Sequence, residues 1–171
     1  MTPAISHSAE PWLRGPIEGV HPLVAPLFFT FAHVREELPK HTSGLTSKQL
    51  WRKPNGAASV GFHLKHIAGS IDRLTTYLRD DQLSEAQMDV LRRESDPNGD
   101  VPALLQLIEE ALRKSEDELR RLDPASLYDA RSVGRRALPT TVLGLVVHIA
   151  EHTQRHLGQI VTTAKIVRQA G

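Results

Sequence analysis

The sequence predicts an all-α fold, a four-helix bundle with short accessory helices in its links and an extended N-terminal arm. Three observations predict it. Four long segments read as amphipathic helices, with apolar residues spaced three and four apart so that they share one face. Helix start signals stand in front of the helical segments from Thr46 onward. No segment alternates apolar and polar residues with period two over strand length. Long helices with one apolar stripe each bury those stripes against one another, and ligand sites in such bundles are commonly built from side chains on facing helices.

Residues 1–20 hold Pro3, Pro11, Gly15 and Pro16 and no apolar period, so they predict an extended arm, packed if at all through Trp12 and Leu13. The bundle domain spans 21–171. Its first helix starts from His21, with Pro22 acceptable in the first turn; Pro26 kinks a helix that starts so early, and Pro39 ends it. Thr46-Ser-Lys-Gln49 and Ser84-Glu-Ala-Gln87 each match the capping box, in which the first and fourth side chains satisfy each other's free amides, so each opens a short helix. From Ser59 to about Asp80, Val60, Leu64, Ile67, Ile71, Leu74 and Leu78 form one narrow apolar seam. Asp100 caps a helix to about Leu122, with Pro102 in its first turn and Leu104, Leu107, Ile108, Ala111 and Leu119 inward. The link from Tyr128 to Leu138, with Arg131, Arg135 and Arg136, reads as a solvated basic loop rather than an anion site. Pro139 and Thr140 or Thr141 start the last helix, which runs to near Arg168 on a seam of Val142, Val146, Ile149, Thr153, Ile160 and Val167.

Composition narrows the function. With 171 residues, 40% hydrophobic and 24% charged, the chain has the size of one ordinary domain with a sizeable core. A formal net charge of +1, from 21 Lys and Arg against 20 Asp and Glu, gives no reason to expect nucleic acid, and no aromatic-studded basic run is present. The absence of cysteine excludes disulfides, thiolate ligands and a protein thiol nucleophile, so any metal must be held by nitrogen or oxygen. The opening MTPAISHSAEPWLRGP lacks the basic and apolar regions of a signal peptide, and no stretch reaches the length of a membrane span. A cytoplasmic protein with no membrane partner is the expectation.

The stretch VVHIAEHTQRHLGQIV places His148, His152 and His156 four apart on one face of the last helix. Each step advances about 6 Å along the axis, so the outer pair is about 12 Å apart and at most two adjacent rings can share an ion whose imidazole bonds are about 2 Å long. His148 lies roughly 120° from the seam, His152 roughly 80° and His156 roughly 40°, which makes His152 and His156 the better-placed pair. A third ligand has to come from elsewhere. Of the remaining histidines, His7, His21, His33, His41, His63 and His66, only the last two share a helix with a clear seam. His63 lies roughly 60° off that seam and His66 roughly 120°, so periodicity favours His63. His148-Ile-Ala-Glu151-His152 also matches the inverted zinc-protease pattern H-x-x-E-H, but no carboxylate follows it downstream to complete that chemistry.

ASVGFHLKHIAGSIDRL, residues 58–74, followed far downstream by EHTQRHLGQI, residues 151–160, resembles the DinB-like superfamily of four-helix-bundle metal-binding proteins, which includes the YfiT-type metal hydrolases. The likeness runs from about His21 to Arg168. Ser59 and His66-Ile67-Ala68 match the start of the family's second long helix, and His152, His156, Gly158 and Gln159 match its last. The resemblance therefore implies a ligand triad of His66, His152 and His156, with His63 and His148 as runners-up.

Three neutral imidazoles with an open fourth position act as a Lewis acid once they hold a divalent ion, for which zinc or nickel is the natural choice. Two enzymatic chemistries follow on a small-molecule substrate. In one, an external low-molecular-weight thiol is deprotonated and attacks an electrophile. The resemblance favours this S-transferase route, because its characterised members include thiol-dependent S-transferases and a mycothiol-dependent maleylpyruvate isomerase. In the other, activated water hydrolyses an ester or amide. A non-catalytic metal-binding or dimerisation module is the third reading; the resemblance allows a homodimer, for which an outward Phe62 or Val161 would serve.

Overall fold

Long helices start here where a side chain can take up a free backbone amide. In the computed structural model, which describes residues 9–169, the Ser59 hydroxyl accepts from the Phe62 amide at 3.1 Å, the Asp100 carboxylate from Ala103 at 3.0 Å, and the Thr141 hydroxyl from Gly144 at 3.0 Å. These three caps open α3 (Val60–Leu78), α5 (Val101–Arg121) and α6 (Val142–Gln169). Both capping boxes are formed, with Thr46 and Gln49 opening α2 (Ser47–Trp51) and Ser84 and Gln87 opening α4 (Glu85–Arg92). The first helix, α1 (Ala25–Thr42), has no side-chain cap and carries Pro26 in its first turn, where a missing N–H costs nothing.

Four long helices, α1, α3, α5 and α6, form the bundle. The central rod, α3, packs on both α5 and α6, and α1 closes against α6. Where α1 meets α5 less extensively, Arg35 spans the gap, reaching Glu109 at 2.8 Å and Glu116 at 2.6 Å. The core fills with the expected seams: Leu64, Ile67 and Ile71 of α3 and Ile149 and Ile160 of α6 are all buried, joined by Leu27 and Phe31 of α1 and Leu112 of α5. Among the described residues, no helix is long and apolar enough to cross a membrane.

Several local expectations are corrected. Pro39 lies inside α1 rather than at its end, because losing one amide does not stop the next turn: Ser43 N–H donates to the Pro39 carbonyl at 3.0 Å and the Thr42 hydroxyl to Leu38 O at 2.7 Å. Leu107 is 44% exposed, and Leu112 and Ser115 face inward instead. The link before α6 is not a solvated loop. It begins with a short 3-10 turn, Pro124–Tyr128, and continues as a hairpin of β1 (Ala130–Val133) and β2 (Leu138–Thr141), antiparallel with Val133 opposite Leu138. Pro139 therefore sits in a strand, tolerated because a two-stranded sheet consists of edges. Arg131 donates to the Leu78 carbonyl at 2.9 Å and ties the hairpin to the end of α3, while Arg135 and Arg136 stay exposed.

In the arm, residues 1–8, with Pro3 and His7, lie outside the described residues. Trp12 and Leu13 are 61% and 57% exposed, contrary to their expected packing role. Pro11 is buried instead, and Arg14 pairs with Glu36 of α1.

Candidate metal centre

Because α3 and α6 pack side by side, histidines from the two helices meet at their interface. His66 Nε2 lies 2.9 Å from His152 Nε2, and the rings of His66 and His156 are 4.4 Å apart between centroids. One ligand atom from each of His66, His152 and His156 falls within 4.8 Å of the other two. The i to i+4 spacing on α6 supplies two of these rings, and one residue of α3 reaches across to supply the third.

His63, which periodicity preferred, is also part of the cluster. It is 6% exposed, and its Nδ1 stands 2.9 Å from Nδ1 of His156. It therefore contacts His156, while the group whose ligand atoms all lie within 4.8 Å of one another is His66, His152 and His156. Phe62, expected to face outward, stacks on His66 with centroids 5.3 Å apart and planes 15° off parallel. Val161 packs partly against the core.

A carboxylate that sequence reasoning passed over stands behind His66. Glu94, just after α4, is 3% exposed and places Oε2 2.6 Å from His66 Nδ1, while Arg73 donates to its Oε1 at 2.8 Å. Nothing in the local run RRESDPNGD marks this glutamate, since only tertiary packing brings it to α3.

Burial pushes the His63 and His152 imidazoles down to about 4 and His156 down to about 3, with neighbouring His66 adding to each shift. At neutral pH these rings are therefore neutral and keep lone pairs available for coordination. The electrostatics suits the donor side of a metal site.

His148 belongs to a second group. Among the described residues, His148, Glu151 and His152 also bring ligand atoms within 4.8 Å of one another. That group lies at the surface: the side chains of His148 and Glu151 are 48% and 43% exposed, and Glu151 is already shared between His148 and Arg155. An ion there would compete with Arg155 and with water. The H-x-x-E-H pattern thus forms one face of a surface ion-pair network. Elsewhere, His33 bonds Gln154 at 3.1 Å, His41 contacts Glu37 at 3.1 Å, and His21 accepts from the Leu23 amide at 3.3 Å. None of these joins the cluster.

The triad fits a divalent ion by an observation of its own. Glu94 Oε2 lies 2.6 Å from His66 Nδ1, so a neutral His66 that donates to this carboxylate has its Nε2 lone pair facing His152. His152 Nδ1 is buried with no hydrogen-bond partner, so either tautomer of this ring leaves one nitrogen unsatisfied or two lone pairs opposed. A cation between the Nε2 atoms would remove the second conflict. Nitrogens about 2.05 Å from one ion stand roughly 2.9 to 3.3 Å apart for right-angle to tetrahedral geometry. The observed 2.9 Å is at the lower edge of that range. An all-imidazole donor set suits zinc or nickel.

A bundle of four long helices with a histidine cluster between two of them defines a class of metal-site architectures. Within that class the chain belongs to the DinB superfamily, whose model matches residues 30–160. Among solved structures, it is similar to YfiT from Bacillus subtilis, with 17% identity, a TM-score of 0.65, and coverage of 88% of this chain and 91% of that one. YfiT is described as a probable metal-dependent hydrolase with an unusual four-helix bundle topology. At this identity the likeness shows the fold. No curated protein matches the chain.

Proposed function

We propose that this protein is a metal-dependent enzyme that holds one divalent ion on His66, His152 and His156. The observation that carries the proposal is that three rings from two helices place their ligand atoms within 4.8 Å of one another. A zinc or nickel ion bound there supplies Lewis acidity, lowering the pKa of a thiol or water that enters an open position.

The residues around the triad have separate parts to play. Burial keeps His152 and His156 neutral, and Glu94 turns the free lone pair of His66 toward them. His63 braces His156 through an Nδ1-to-Nδ1 contact of 2.9 Å. Phe62 covers one face of His66 and limits water there.

The chemistry we favour is transfer to an external low-molecular-weight thiol, with a small electrophile as substrate. The nearby carboxylates support it: Glu94 is fully engaged by His66 and Arg73, and Glu151 lies at the surface in an ion pair with Arg155. The ion activates a thiol and water alike, but the alkoxide or amine leaving an ester or amide also calls for a proton donor near the ion, whereas a thiolate that displaces a good leaving group such as halide needs none. The chain has no cysteine, so the thiol has to come from outside. The likeness to YfiT keeps metal-dependent hydrolysis as the second reading.

Protein purified without a histidine tag should contain about one equivalent of zinc or nickel per chain by elemental analysis, falling sharply in His156→Ala. A folded protein with no metal uptake would overturn the reading. The loaded protein is then incubated with chlorodinitrobenzene and low-molecular-weight thiols, and in parallel with ester probes. Thiol-dependent consumption supports transfer, and ester cleavage with no thiol effect puts hydrolysis first.

A further inference from the structure

Between residues 91 and 100, Glu94 alone is buried, and the leucine three residues before it, Leu91, is 38% exposed. Hydrophobic burial would favour the reverse arrangement, because a carboxylate withdrawn from water is costly unless charged and polar partners compensate it. Two partners do so here, Arg73 at 2.8 Å and His66 at 2.6 Å.

The surrounding chain fastens this carboxylate in place. Lys65 donates to the Arg93 carbonyl at 3.2 Å and the Asp96 carbonyl at 2.7 Å, so the backbone is pinned to α3 on both sides of Glu94. Directly behind His66, α3 has a glycine. A Cβ on Gly69 would lie 2.6 Å from Glu94 Oε1 and 2.7 Å from Arg73 Nη1, too close for either to stay. The glycine leaves the space that the ion pair occupies.

We propose that Glu94 is a positioning residue for the ion site, fixing His66 as the Nδ1–H tautomer so that its Nε2 lone pair faces His152, with Arg73, Lys65 and Gly69 holding the carboxylate there. The inference rests on the reading of His66, His152 and His156 as ligands. A carboxylate accepts hydrogen bonds and does not donate, so its contact with Nδ1 decides which ring nitrogen carries the proton. Partners of this kind also raise the basicity of the ring, and their loss commonly weakens metal binding about 10- to 100-fold.

The test uses the full-length protein in metal-free form as wild type, as Glu94→Gln, and as the double variant Arg73→Met/Glu94→Leu. The double variant removes both buried charges, so it remains informative if Glu94→Gln alone leaves Arg73 uncompensated and fails to fold. Zinc affinity is measured by competition with a chromophoric chelator, and ring tautomers by nitrogen-15 NMR. Wild type should bind zinc and show His66 protonated on Nδ1; the folded variants should bind about 10- to 100-fold more weakly and lose that single tautomer. Variants that bind as tightly as wild type, or an Nδ1–H tautomer that survives in Arg73→Met/Glu94→Leu, where no side-chain acceptor remains at residue 94, overturn the role of Glu94 alone. Wild type that takes up no zinc overturns the ligand reading beneath it.

Discussion

His152 and His156 stand one turn apart on α6, and packing against α3 withdraws both rings from water together with His63. Their lowered pKa values give the metal-free protein a defined pH response. Unfolded imidazoles protonate near about 6.5, whereas burial pushes His63 and His152 down to about 4 and His156 down to about 3. Between those limits the unfolded chain binds more protons than the folded one, so stability is full above the unfolded value and falls as pH drops toward the folded ones. Urea denaturation of metal-free protein should therefore show a lower midpoint at pH 5 than at pH 7; equal midpoints would contradict the burial of these rings. The site was partly legible at this scale. Spacing picked out His152 and His156, and angular position favoured His63, which does lie in the cluster, in contact with His156. His66 entered through the family resemblance, because a residue roughly 120° from its seam reaches the interface only once the neighbouring helix is in place. Glu94 left no trace in the sequence, since its role depends on a contact 28 residues away.

At the scale of elements, the helix starts were the most legible feature, because a cap is a local bargain between one side chain and amides three residues on. The hairpin was the least legible. Four-residue strands are too short to show a period of two, and Pro139 reads as part of the helix start that Thr141 does provide. The short helix α4 shows how such elements serve the site. It buries no residue, so polar ties dock it: Gln87 donates to Asp72 Oδ2 at 2.7 Å and to Thr76 Oγ1 at 2.8 Å while also closing the capping box. Gln87→Ala removes all of these and should cost about 1–2 kcal/mol of local stability. Hydrogen exchange should accelerate in α4 and the segment carrying Glu94, with the central amides of α3 and α6 unchanged. Uniform acceleration throughout the bundle, or none in α4, would contradict this account of its docking.

For the whole molecule, the bundle brings two rods into register so that rings 86 and 93 residues apart in sequence meet. The architecture followed from the apolar seams, since α3 and α6 bury theirs against the same core. Seams specify which faces turn inward, but not which rods become neighbours, and that choice creates the histidine cluster. The two candidate groups share His152, one half-buried between helices and one at the surface with Glu151. Crystals of the zinc-loaded protein, measured at the zinc absorption edge, separate them most directly. The account predicts one anomalous peak about 2.0–2.1 Å from a nitrogen of each of His66, His152 and His156; a peak coordinated by His148 and Glu151 instead, or none in either group, would contradict it.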